Sequence, residues 1–333
     1  MLYYIGRFPP PYGGVTIKNN LMINKLAKKV PIKIIDTNNL KMTKPLEVLR
    51  FLLIIINSNS RFIIGLSFAW RYKLSKFLYI FNKNTLRKSL LIVMGGTIVS
   101  DLAKNDVSKE SIRNYKRIYV ETDSMKSKLE NLGINNVSVY PNCREKPEYE
   151  IKIKKRQGKL RCVFFSMIYP EKGVDVILDA AVNLPDIEFD FWGDINKDYK
   201  EEFLQTISRL SNCRYCGVFK SNEDNVYKLL NSYDVLLFPT RWKDEGVPGV
   251  LIEAKFSGLP AIVSNFAYNA ELLEHLKEGI VLSKNDVNGL REAILQLDKD
   301  DNLLTKLKLG ALRSSEKYVI DSYIDDIVNE LEG

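Results

Sequence analysis

Short apolar runs alternate with amphipathic stretches from one end of this chain to the other. In the first half, runs at 2–5, 32–35, 62–65, 90–94, 117–120 and 137–140 read as strands, and helical spacing fills most gaps, as at 17–29 and 124–131. The second half repeats the theme. Strands are expected at 160–165, 188–192, 213–216, 235–238, 261–264 and 280–282, with helices at 174–181, 200–210, 224–230 and 249–256. Continuous apolar strands alternating with helices predict parallel sheets covered on both faces. The stretch 145–159, E-K-P-E-Y-E-I-K-I-K-K-R-Q-G-K, is charged and poor in core residues, and it reads as a linker. The pattern therefore predicts two doubly wound α/β domains, at 1–150 and 158–313, facing a central cleft. From 314 to 331, apolar positions at Val319, Ile320, Tyr323, Ile324, Ile327, Val328 and Leu331 predict one further amphipathic helix.

Composition agrees with this picture. Of 333 residues, 45% are hydrophobic and 27% charged, as in globular proteins. The longest apolar run, at 51–56, is too short to cross a bilayer. The first residues already read as a strand, which predicts no secretory leader and a cytoplasmic protein. Charge is unevenly spread: residues 1–150 carry +14 and residues 151–333 carry −6. Between Lys18 and Lys88, 15 basic residues face only Asp36 and Glu47. Aromatic residues interleave with them, as in W-R-Y-K-L-S-K-F-L-Y from Trp70 to Tyr79. A basic, aromatic-bearing helix suits an anionic membrane surface, and peripheral attachment there is preferred over a solvated basic face. Nucleic acid is not expected, since neither zinc-finger spacing nor a ribonucleoprotein-type aromatic motif is present. Oligomeric state is not legible. Cys143, Cys162, Cys213 and Cys216 read as free thiols. Cys213 and Cys216 form a C-x-x-C on an expected strand, and with His275 the only histidine a zinc site is not expected.

Three loops carry candidate chemistry. The first, Gly6 to Val15, follows the first strand, is stiffened by Pro9, Pro10 and Pro11, and ends in Gly13 and Gly14, where the backbone can approach a ligand. Its spacing is not that of a dinucleotide fingerprint. The second, Tyr169-Pro170-Glu171-Lys172-Gly173-Val174, places a lysine at a helix start, which suits a diphosphate. The third follows the strand at 235–238. Glu245 precedes a helix and Glu253 lies inside it, with Gly246, Val247, Pro248, Gly249 and Val250 between. Backbone N–H groups at such a junction attract phosphate. Carboxylates on either side can accept hydrogen bonds from sugar or ribose hydroxyls. Asp298-Lys299-Asp300 has a D-x-D form, but it lies on a charged helix end with no preceding strand and reads as solvated.

With these residues set out, the chain resembles retaining glycosyltransferases of family 4, which have the GT-B fold, over nearly its whole length. The closest likeness runs from Pro239-Thr240 to Pro260 and includes Glu245 and Glu253, the two glutamates separated by seven residues. Together with Tyr268-Asn269-Ala270-Glu271 it is most similar to members that build bacterial surface polysaccharides. Pro170 to Gly173, Gly13-Gly14, Pro141-Asn142 and Gly193-Asp194 match further family motifs. The resemblance implies a nucleotide-diphosphate sugar donor, a UDP-sugar ahead of a GDP-sugar, with no cofactor and no metal. It implies a lipid-linked saccharide acceptor, in capsule, O-antigen or exopolysaccharide synthesis. Glu245 would bind the donor sugar and Glu253 the ribose. The amides from Gly246 to Val250 would face the sugar and diphosphate, Lys172 would stabilise the departing diphosphate, and Gly13 and Gly14 would approach the phosphates from the first domain. The last helix would cross back onto that domain. Two departures stand out. Met167 replaces the usual arginine, with Arg241 and Lys243 as candidate substitutes, and the first domain has no histidine; Met94-Gly95-Gly96-Thr97 is expected in that region. These departures leave an alternative: an inactive glycosyltransferase-like scaffold or binding partner in the same pathway. A sugar-nucleotide epimerase on this fold would be expected to bring histidine into the cleft.

Overall fold

The computed structural model describes residues 1–10, 13–40, 45–220 and 225–332. Pro11 and Tyr12 of the first loop, and Asp224 at the start of an expected helix, lie outside them. The chain divides into two units. One comprises Met1–Glu145 with Val319–Gly333, and the other Lys146–Tyr318.

The first unit holds six parallel strands: β1 (Leu2–Gly6), β2 (Ile32–Asp36), β3 (Arg61–Gly65), β4 (Leu90–Ile92), β5 (Arg117–Val120) and β6 (Val137–Val139), in the order β2-β1-β3-β4-β5-β6. The second holds β7 (Arg161–Phe165), β8 (Glu188–Trp192), β9 (Cys213–Gly217), β10 (Val235–Phe238), β11 (Ala261–Ser264) and β12 (Gly279–Leu282), in the order β12-β11-β10-β7-β8-β9. Every run expected to be a strand is one, with ends shifted by at most two residues. The apolar runs have a physical cause. Every residue of β4, β10 and β11 is buried, as covering both faces of a parallel sheet demands.

Strand order fixes where ligands can enter. In each sheet the order reverses once, between β1 and β3 in the first unit and between β7 and β10 in the second. Connections leave such a point in opposite directions, which opens a crevice beyond the carboxyl ends of the strands. Gly6 and Gly65 close the strands at the first crevice. A Cβ on Gly65 would stand 2.2 Å from Asn19 Oδ1, because the buried Asn19 amide donates to Arg7 O and Gly65 O at 2.9 and 3.0 Å. Gly65→Ala is therefore expected to cost roughly 1–3 kcal/mol through overpacking, seen as a lower urea midpoint at unchanged m-value.

Right-handed crossovers place helix Gly14–Leu26 on one face of the first sheet and helices Pro45–Ile56 and Phe68–Phe81 on the other. Helix Asp321–Glu332 packs on Gly14–Leu26, burying Ile320, Ile324, Ile327 and Leu331 in one core with Met22 and Leu26. Lys25 binds Asp321 at 2.9 Å along this contact.

The single helix expected over 314–331 is in fact interrupted. Helix Asp301–Ser314 ends, the turn Ser315–Tyr318 follows, and Asp321–Glu332 begins anew. The hydroxyls of Ser314 and Ser315 donate back to Ala311 O and Leu312 O, and the Ile320 N–H is diverted to Arg144 O. His275 is exposed and forms an isolated bridge with Gly279, its Nδ1 accepting the Val281 N–H at 3.1 Å. Asp298 is not simply solvated, since it is half-buried and pairs with Arg156.

Candidate active site

The crevice of the second sheet is bounded by the segments that follow β7 and β10. After β7 comes the turn Pro170–Lys172, then Gly173, then helix Val174–Val182. Gly173 has φ +84°, and a Cβ there would meet Pro239 O at 2.3 Å. The two segments thus touch backbone to backbone, and the Arg241 N–H donates to Glu171 O at 2.8 Å.

This contact brings together residues far apart in sequence. Lys172 Nζ donates to Glu245 Oε2 at 2.7 Å, and the two side chains are only 16% and 11% exposed. The Thr240 hydroxyl donates to the same oxygen at 3.1 Å and accepts the Trp242 N–H at 3.2 Å. The Trp242 ring lies 5.4 Å from Lys172 Nζ and is braced edge-on by Tyr169. Behind Thr240, the Ser264 hydroxyl donates to Thr240 O at 2.5 Å, and the Asn269 amide donates to Ser264 Oγ at 3.4 Å. Thr240, Ser264 and Asn269 are all buried. Sequence reading noticed Thr240 and Asn269 as motif members but not this hydrogen-bond chain. The available signal was a threonine placed directly after an apolar strand.

From Glu245 the chain passes Gly246, Val247 and Pro248 into helix Gly249–Phe256. Val247, Pro248 and Val250 are buried, and Gly246 and Gly249 are half-buried. Pro248 precedes the helix with no N–H and no capping side chain. The first turn of an α-helix leaves N–H groups without intrahelical partners, and their positive end points out of the helix. Glu253, half-buried, stands one turn beyond Gly249 and on the same side of the helix. The crevice therefore offers a cation at Lys172, carboxylates at Glu245 and Glu253, and a helix amino end between them.

The expected substitutes for the arginine behave differently from one another. Met167 is 53% exposed. Arg241 forks onto Asp175 at 3.1 and 2.6 Å, which ties it to helix Val174–Val182, and Lys243 is exposed. In the first unit, Gly13 and Gly14 are exposed at the start of helix Gly14–Leu26, and no atom lies within 4 Å of a Cβ added to either. Thr16 Oγ1 accepts the Gly13 N–H at 3.0 Å. Neither glycine is required by the packing of its own unit. At Met94-Gly95-Gly96-Thr97 the chain turns at Gly95, φ +84°, and Met94 O accepts from the buried Arg71 at 3.3 Å. Among the described residues, no group of three or more His, Cys, Asp or Glu side chains has metal-holding geometry. Burial pushes the thiols of Cys143 and Cys213 up to about 12.

A doubly wound sheet takes its ligands at the switch point, beyond the carboxyl ends of its strands. The family model "Glycosyl transferases group 1" matches residues 145–312, half of the chain, and the chain belongs to that family. It is 23% identical over 242 residues to a 2-deoxystreptamine N-acetyl-D-glucosaminyltransferase of Niallia circulans, an alignment covering 71% of this chain and 58% of that one. It is 30% identical over 115 residues to the Escherichia coli UDP-Gal:alpha-D-GlcNAc-diphosphoundecaprenol alpha-1,3-galactosyltransferase, covering 32% and 29%. The chain thus spans well under two thirds of the length of these relatives. Among solved structures, Anabaena Alr3699/HepE in complex with UDP superposes with a TM-score of 0.75 at 15% identity, covering 99% of both chains. That likeness establishes the GT-B fold.

Proposed function

We propose that this chain transfers a sugar from a nucleotide-diphosphate donor, a UDP-sugar, to a lipid-linked saccharide acceptor, with retention at the anomeric carbon. The assignment to family 4 is part of the same reading. One observation carries it: the Lys172–Glu245 pair, held at the switch point of the second sheet beside the amino end of helix Gly249–Phe256. There the donor diphosphate meets Lys172 and the backbone N–H groups of Gly246, Val247, Gly249 and Val250, and Glu245 and Glu253 accept from sugar and ribose hydroxyls. Lys172 stabilises the charge that develops on the leaving diphosphate. Because lysine and helix end together supply positive charge, the reaction needs no metal, and transfer is expected to persist in EDTA. With no histidine in the first domain to act as base, a donor phosphate oxygen takes the acceptor proton on the face the leaving group vacates. Gly13 and Gly14, where no atom lies within 4 Å of an added Cβ, are the proposed points at which the backbone of the first unit can approach a ligand. The E. coli diphosphoundecaprenol enzyme supports a lipid-linked acceptor, and the basic first half supports an anionic membrane surface; surface-polysaccharide synthesis at the cytoplasmic face of that membrane is part of the same proposal.

A thermal-shift screen with UDP, GDP, ADP and CMP tests the donor. UDP at about 100 times its dissociation constant is expected to add about 2.7 kcal/mol. Glu253→Ala is expected to remove most of the UDP-specific shift while leaving that of inorganic pyrophosphate. An equal loss of both shifts would argue against a ribose contact. Incubation with nucleotide sugars and lipid-linked acceptors tests transfer itself. Met167 and the Arg241–Asp175 fork favour one other reading, a binding partner without activity. It predicts donor binding without transfer and an intact cellular polysaccharide in Glu245→Ala.

A further inference from the structure

We propose that helix Pro45–Ile56 is the element that enters an anionic lipid surface, with the exposed side of helix Phe68–Phe81 beside it. The inference rests on the membrane location proposed above and names the residues that make it. Helix Pro45–Ile56 reads P-L-E-V-L-R-F-L-L-I-I-I, yet of its twelve residues only Ile55 is buried. Leu46, Leu49, Leu53 and Ile56 recur at helical spacing along one side, and with Leu52 their exposure runs from 40% to 71%. Trp70, Ile80 and Phe81 on the neighbouring helix are exposed by 51% to 66%. These two helices carry eight of the 16 exposed large hydrophobic residues among those described, so the exposure is a patch rather than scatter. The helices are held together. They pack on the same face of the sheet, and the Asn82 amide donates to Ile55 O at 2.9 Å.

Charge selects the occupant. Between Glu47 and Asp101 the sequence has no acidic residue and eight basic ones. Arg71 is buried and Arg61 donates to Leu331 O, which leaves Lys73, Lys76, Lys83, Arg87 and Lys88 exposed or half-buried on and just after the second helix. Glu47 is already matched by Arg50 at 3.1 Å. A second copy docked here would set one basic rim against another. Anionic headgroups would neutralise that rim while the leucines enter the acyl boundary. Twelve residues are too few to cross a bilayer, so the helix lies in the plane of the surface. The placement also suits the acceptor. A pocket of about 130 Å³ lies at the carboxyl ends of β1 and β3, lined by Arg7, Gly65, Ser67 and Trp70 among others. Trp70 belongs both to this pocket and to the lipid-facing helix. A saccharide can therefore sit at the crevice while its lipid remains in the membrane.

The test is flotation of the whole chain with vesicles of phosphatidylcholine alone or mixed with phosphatidylglycerol. The wild-type chain is expected to float only with the mixed vesicles. Leu49→Glu with Leu53→Glu lowers the partition coefficient at least about tenfold, at unchanged circular dichroism and Tm. Lys73→Gln with Lys76→Gln lowers it about 25-fold, since each surface lysine contributes about a fivefold factor. Leu309→Glu, on the other unit, leaves it unchanged. Transfer to a water-soluble acceptor analogue also stays unchanged in the leucine variant, which separates loss of lipid contact from loss of chemistry. Wild-type flotation that ignores Leu49 and Leu53 would overturn this face while leaving a membrane location standing. No flotation at all would overturn both, as would self-association abolished by the leucine variant without any lipid binding.

Discussion

Replacing Lys172 by alanine is expected to lower kcat roughly 10²- to 10³-fold, the loss typical when one preorganised electrostatic contact to a developing charge is removed. Lys172 Nζ is held by Glu245 at 2.7 Å and lies 5.4 Å from the Trp242 ring, while the next residue, Gly173, packs its backbone against Pro239. A cation so held pays little reorganisation when the diphosphate leaves. Lys172→Arg keeps the charge but puts a planar fork where a compact ammonium fits, so only partial recovery is expected. Glu245→Gln keeps the shape and the Thr240 contact while removing the carboxylate, and it too should lower kcat more than Tm. Steady-state kinetics and melting curves on the same preparations check this. A drop in rate that merely tracks unfolding would make the pair structural rather than catalytic.

Lys18→Met is expected to cost about 3–5 kcal/mol of stability, the range found when one partner of a buried ion pair is removed. Lys18 and Glu121 lie 2.7 Å apart at 3% and 4% side-chain exposure. The same ammonium reaches Val93 O at 3.4 Å and the Tyr140 ring at 5.3 Å. The single substitution removes the Lys18 charge from beside a carboxylate in a low-dielectric interior. Lys18→Met together with Glu121→Leu should recover part of the loss, because the desolvation cost of these two ions disappears with them. Urea denaturation of both single variants and the double variant gives the coupling directly. Near-additive losses would mean that the pair contributes little beyond its separate contacts.

The sheets were legible because parallel strands buried on both faces must be apolar throughout, and β10 and β11 show that constraint without exception. The nearness of Lys172 to Glu245 was legible only through a resemblance, since 73 residues separate them and no local pattern joins the two loops. Other features were hidden for physical reasons. Arg241 looked like a spare cation, but its fork is turned onto Asp175, and only packing decides which acid an exposed arginine meets. The interruption at Ser315–Tyr318 was masked by a continuing apolar period, because serine hydroxyls and one diverted N–H broke the helix without disturbing its hydrophobic rhythm. Apolar periodicity also reads the same whether a helix faces a core or a lipid. The run in Pro45–Ile56 could therefore be placed on the surface only from the fold.

The core of the first unit is completed by residues 319–332. Until Val319–Gly333 has been synthesised, Met22 and Leu26 lack the neighbours Ile320, Ile324 and Ile327 that share their core. During translation the amino-terminal unit must therefore wait, with an apolar groove open, while the entire second unit is made. A nascent chain stalled after Tyr318 would be a natural client for a chaperone that recognises exposed aliphatic surface.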